Sequence, residues 1–150
     1  TLIRLQATDI SATSGTGDRT LIDRYIPNAA KVLTNNSATA IVNATIANGS
    51  VVGGVIRYTI EDTDGTDFKE ETGFAVYTSY NKAGTIVGII TEVNSQQGLS
   101  VGTLTTTWAI SNANPAVISI NANSSLTPSS GYPRITFAIE NFSQQAIAIQ

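Results

Sequence analysis

Among its 150 residues the chain has no cysteine, no histidine and no methionine. Without cysteine there is no disulfide framework and no thiolate chemistry, and the usual disulfide argument for a secreted domain has nothing to work on. Without histidine the chain lacks the side chain most used for acid–base work near neutral pH and the commonest metal ligand. Ser-His-Asp and Cys-His catalysis are thereby excluded within one chain. Charge is scarce as well: 8 basic and 11 acidic residues give a net charge of −3. The basic residues are scattered, so nothing presents the clustered Lys and Arg that nucleic-acid backbones require. No apolar run approaches the roughly 18 residues needed to span a bilayer, and Thr1-Leu2-Ile3-Arg4 does not open a secretion signal. The expectation is a soluble protein with neither nucleic acid nor membrane as partner.

What is present is apolar residues in alternation, the period that sets one strand face on a core and the other toward solvent. Ala40, Val42, Ala44 and Ile46 alternate up to Asn48-Gly49, a dipeptide suited to tight hairpin turns, and a return strand is expected through Val51 to Ile60. Asp64-Gly65 is a second such turn, followed by Phe68 to Tyr80 with Phe74, Val76 and Tyr80 at even spacing. Ala83-Gly84 closes that stretch, and the β-branched run Thr85 to Val93 favours another strand. Leu104, Thr106, Trp108 and Ile110 share a face. The loop Asn112 to Pro115 follows, then Ile118, Ile120 and Ala122, the Ser/Thr/Pro/Gly loop Asn123 to Pro133, and Ile135, Phe137, Ile139, Ile147 and Ile149.

Strands at intervals of roughly ten residues with turn chemistry between them indicate an all-β antiparallel sandwich, jelly-roll or immunoglobulin-like. The lead-in differs. Ser11 to Thr20 is polar and Gly-bearing, and Leu21 to Ile26 is a short apolar island. Residues 1–30 are therefore expected to form an extended N-terminal arm or lead-in strand, and residues 31–150 the sandwich.

Candidate chemistry is thin. Asp62-Thr63-Asp64-Gly65-Thr66-Asp67 offers alternating carboxylates of the kind that chelate Ca²⁺, but its spacing departs from the EF-hand loop, and a hairpin turn accounts for Asp64-Gly65. Whether Asp62, Asp64 and Asp67 hold an ion stays open. The same carboxylates resemble a glycosidase pair less than they resemble a charged rim that discourages strand-to-strand aggregation. The reading is no catalytic residue, no metal and no cofactor. Trp108, Tyr25, Tyr58, Tyr77 and Tyr80 lie on alternating segments that suit core or interface packing. Tyr132, between Gly131 and Pro133, is the best exposed stacking face. The sequons at Asn35, Asn43, Asn48, Asn123 and Asn141 match the expectation from a chain rich in Asn, Ser and Thr.

Three blocks, Tyr80-Asn81-Lys82-Ala83-Gly84-Thr85, Gly102 to Ile110 and Ile118 to Leu126, with the terminal Tyr132-Pro133-Arg134-Ile135-Thr136-Phe137 and Glu140 to Gln145, resemble the β-rich surface modules of tailed-bacteriophage virions. The resemblance covers roughly residues 55–150. It implies a non-enzymatic structural protein repeated in a symmetric assembly. A single compact domain without shaft sequence fits a capsid decoration, or cement, protein first. That reading implies self-association as a trimer, the major capsid protein as partner, and a place on the capsid exterior after assembly in the host cytoplasm. Leu2, Ile3, Leu5, Leu21, Ile22, Tyr25 and Ile26 would then dock on the shell or on neighbouring copies. The alternative is a receptor-binding tail module that recognises a host surface glycan through Tyr132.

Overall fold

The computed structural model describes residues 25–143, 145 and 147–150, with the backbone alone for residues 25–28. Among the described residues the regular structure is all β. The strands are β1 (Tyr25–Val32), β2 (Ala38–Ala44), β3 (Ser50–Thr63), β4 (Phe68–Lys82), β5 (Thr85–Leu99), β6 (Leu104–Ile110), β7 (Ala116–Ser124), β8 (Arg134–Asn141) and β9 (Ile147–Ile149). They form two antiparallel sheets, one in the order β1-β8-β3-β4-β5 and the other β6-β7-β2-β9.

The alternating sequence pattern is what closes these sheets on each other. Val52, Ile56, Tyr58, Ile60, Tyr77, Ile135, Phe137 and Ile139 from the first sheet meet Val42, Ala44, Leu104, Ile118, Ile120 and Ala122 from the second in one core. Inward and outward residues alternate, as in β8, where Arg134, Thr136 and Ala138 alternate with Ile135, Phe137 and Ile139.

Two antiparallel pairings explain the topology. β1 runs beside β8 and β2 beside β7, in registers that follow one another from Tyr25↔Glu140 to Ala44↔Ala116. Between them the chain turns the corner as a ribbon, tied by Leu33 N–H to Pro133 C=O and Asn36 N–H to Ala122 C=O. A two-stranded ribbon thus passes from one sheet into the other, as at the start of a jelly roll, while β3, β4 and β5 continue as a meander within one sheet. The expected division at residue 30 falls inside β1, which is an edge strand of the larger sheet.

The hairpin expected across Asn48-Gly49 is corrected by the structure. The turn forms, with Gly49 at φ 77°, but β2 pairs with β7 and β9, and β3 pairs with β4 and β8. Asn48-Gly49 therefore carries the chain from one sheet to the other. Tertiary partners hold it there: Asn81 Nδ2 donates to Ile46 C=O at 2.8 Å, Gly49 N–H donates to Asn81 C=O, and Ala83 N–H donates to Asn48 Oδ1. The hairpin across Asp64-Gly65 is present in unbroken register from Ser50↔Asn81 to Thr63↔Phe68.

Candidate functional site

Strands β3, β4 and β5 of the larger sheet are 14 or 15 residues long, and their outward side chains divide into two zones. At one end the rows are apolar: Val51, Tyr80 and Val87 lie side by side, then Thr78 beside Ile89, then Val55, Val76 and Thr91. Val51, Val76, Tyr80 and Ile89 are exposed, as is Phe142, whose N–H donates to Gly53 C=O beside them.

Toward the other end the rows become polar. Asn94, Phe74, Arg57 and Ala138 make one row across β5, β4, β3 and β8, and Gln96, Thr72, Thr59 and Thr136 make the next. These residues line a groove of about 430 Å³. The β4–β5 register shifts between Phe74 and Ala75 at its margin, and a bulge of this kind bends the strand and increases its twist. Thr59 and Thr72 share a hydroxyl hydrogen bond of 3.0 Å. The single formal charge among the lining residues is Arg57, whose Nε lies 3.7 Å from Glu140.

Beyond these rows lies a second groove of about 360 Å³, lined by Glu61, Thr63, Phe68, Glu70, Gly98, Tyr132 and Arg134 among others. Here Tyr132, the aromatic expected to be exposed, is half-buried, and the Arg134 guanidinium sits 5.0 Å from its ring centroid. One ring face is thus occupied by a cation. Arg134 also grips Glu61 through Nε and Nη2, and that carboxylate holds the Arg134 pKa above its ordinary value. Glu61 and Glu70 stand directly opposite on β3 and β4. Glu61 is held by Arg134, and Glu70 accepts from Thr72 Oγ1 at 3.1 Å, so the two carboxylates are engaged in separate contacts.

The carboxylates of the Asp62 to Asp67 segment point apart. Asp64 accepts the N–H groups of Thr66 and Asp67, each at 2.9 Å, and these bonds, Asp67 first, hold its carboxyl below the usual range. Asp67 accepts from Ser100 Oγ. Asp62 faces the core. Among the described residues no three acidic side chains converge in a way that could hold a metal ion.

Under the second groove the core becomes polar. Lys69 is 1% exposed and donates to Thr103 C=O and Ser125 Oγ. Glu71 is 2% exposed and accepts from Tyr58 Oη at 2.8 Å and from Gln97 Nε2. Burial, reinforced by the hydrogen bond to Glu71, pushes the Tyr58 phenol far above its ordinary pKa. Tyr58 also packs at 5.0 Å against Trp108. Asp62, opposite Lys69 in register and 2% exposed, meets no hydrogen-bond partner among the described residues.

Of the residues expected to dock an arm, Leu2, Ile3, Leu5, Leu21 and Ile22 lie outside the described residues. Tyr25 and Ile26 pair through their backbones with Glu140 and Ile139 inside the sheet. The sequence reading passed over Phe74 as one member of an alternating strand. Its place between Asn94 on β5 and Arg57 on β3 depends on pairings between strands, which no local pattern announces.

No protein-family model matches the chain, and no curated protein matches it. Among solved structures it is similar to the Acinetobacter phage vB_ApiP_P1 tailspike protein, with a TM-score of 0.42 and 19% identity over 93% of this chain. The chain spans about 25% of the length of that tailspike. At this degree of likeness no residue correspondence follows.

Proposed function

We propose that the chain is a non-enzymatic module of a phage virion surface, and that it serves on the tail as a receptor-binding module for a host surface glycan. The observation that carries this reading is the groove-bearing polar half of the larger sheet. Binding sites for small polar ligands combine apolar surface with a few hydrogen-bonding groups that fix orientation. Here an aromatic ring, threonine hydroxyls and side-chain amides stand together on strands held rigid by the sandwich. Phe74 and Phe68 mark the two ends of the polar stretch of β4, about 20 Å apart at strand spacing, which suits an extended chain of sugar rings. Repetition of the module in a symmetric assembly, a trimer by the sequence resemblance, would multiply weak single-site affinity.

A second reading, a capsid decoration protein that binds the major capsid protein on the shell exterior, is favoured by the apolar half of the same face. Exposed apolar patches of this kind mark surfaces that a protein partner covers. One pair of experiments separates the two readings. Purified protein is applied to a panel of host surface polysaccharides and, in parallel, pelleted with empty capsids. Saccharide binding without co-sedimentation supports the tail module. Stoichiometric co-sedimentation with no saccharide bound overturns it in favour of decoration.

A further inference from the structure

From the chemistry of the larger groove we infer that its ligand is a neutral saccharide, stacked on Phe74 and hydrogen-bonded by Asn94, Gln96 and Thr136; this rests on the glycan reading above and specifies its ligand class. Phe74 is half-exposed on the outward face of β4, with Asn94 beside it on β5 and Arg57 on β3. An aromatic face held at the edge of a groove presents an apolar plane to the C–H face of a pyranose, while its neighbours receive the hydroxyls. The Asn94 and Gln96 amides and the Thr136 hydroxyl are exposed in the groove. Each amide both donates and accepts, as does a hydroxyl, so the set matches sugar hydroxyls and N-acetyl groups without any fixed charge.

The electrostatics argue against an acidic sugar. Arg57 is the one cation among the described residues that line the groove, and Glu140 lies 3.7 Å from it. The next groove along the face carries Glu61 and Glu70, and the chain as a whole has a net charge of −3. A carboxylate-bearing saccharide would approach like charge, and the one cation among the described lining residues already has a carboxylate beside it. Gly73 keeps the platform in place from behind. A side chain there would meet Asn94 C=O at 2.6 Å and Tyr58 Oη at 2.9 Å, so only glycine lets β4 and β5 lie close enough to align Phe74 with Asn94.

The test is a heteronuclear NMR titration of the purified full chain with two soluble oligosaccharides, one of neutral hexose and N-acetylhexosamine units and one carrying uronic or sialic acid. It is repeated on Phe74→Ala, on Asn94→Ala and on Tyr80→Ala in the apolar half. The expected result is binding of the neutral probe, with shifts on Thr72, Phe74, Asn94 and Gln96 and little change between low and high salt. Affinity should fall at least about tenfold in Phe74→Ala and fall in Asn94→Ala, with Tyr80→Ala unchanged. A preference for the acidic probe that weakens with salt overturns the neutral class while leaving the glycan reading standing. Neutral binding that survives both Phe74→Ala and Asn94→Ala overturns the assignment of this groove. Binding of neither probe overturns the glycan reading and this inference with it.

Discussion

Lys69→Met should destabilise the fold more than any surface substitution, because it removes the cation from a buried group that also holds two carboxylates. Lys69, Asp62 and Glu71 are each at most 2% exposed, and Lys69 stands opposite Asp62 in the β3–β4 register. Side chains directly opposite on paired strands have Cβ atoms about 5 Å apart. At an effective dielectric constant of roughly 20 and a separation of roughly 6 Å, the attraction of Lys69 for one carboxylate is about 3 kcal/mol. Methionine nearly matches the volume of lysine, so the loss is electrostatic, together with the hydrogen bonds to Thr103 C=O and Ser125 Oγ. Deleting the cation leaves Asp62 and Glu71 as uncompensated carboxylates in the interior, at a cost of about 3–5 kcal/mol, which lowers the melting temperature by on the order of 10 °C in a chain of this size. Urea melts of wild type and variant measure it. Asp62→Asn in the Lys69→Met background should recover part of the loss, because it neutralises the carboxylate that has no hydrogen-bond partner among the described residues. A cost below about 1 kcal/mol for Lys69→Met, or no recovery by Asp62→Asn, would refute the view that Lys69 holds these carboxylates in the interior.

Gly54→Ala should cost about 3 kcal/mol or more in the same melts, since a Cβ there would lie 2.0 Å from Glu140 C=O; a tolerated alanine would show that β3 and β8 can part. Asp64→Asn keeps an acceptor for the amides of Thr66 and Asp67 but not the charge. Because the folded carboxyl titrates below its usual value, its contribution is present above about pH 4 and is lost as pH falls through the folded pKa. The stability gap between wild type and Asp64→Asn should therefore close on acidification, and a gap independent of pH would contradict the assignment. Arg134→Ala removes an exposed ion pair and should leave the urea midpoint nearly unchanged, while freeing a face of Tyr132 that fluorescence quenching can detect.

The strands themselves were legible because one face of each is buried, and burial forces a period of two. Ile56, Tyr58 and Ile60, or Ile135, Phe137 and Ile139, cannot be placed otherwise. Partnership was less legible. Asn48-Gly49 has the chemistry of a hairpin turn, yet the same positive φ serves a crossing between sheets, and the deciding bonds come from Asn81 and Ala83 more than 30 residues away in sequence. Asp62 reads as part of a charged rim, yet the structure buries it together with Lys69, because register with Ile60 and Glu71 fixes their face. Tyr132 stood out in the sequence through its loop. Phe74 did not, because its neighbours Asn94 and Thr136 come from other strands.

The central claim, that the polar half of the larger sheet is the working surface, is tested most directly by hydrogen exchange on the full chain with and without a saturating host surface polysaccharide. Protection is expected only in β4 and β5 around Thr72, Phe74, Asn94 and Gln96, with the Val51, Tyr80 and Ile89 rows unchanged. Protection of those apolar rows instead, or no protection anywhere with polysaccharides of either charge class, would contradict it.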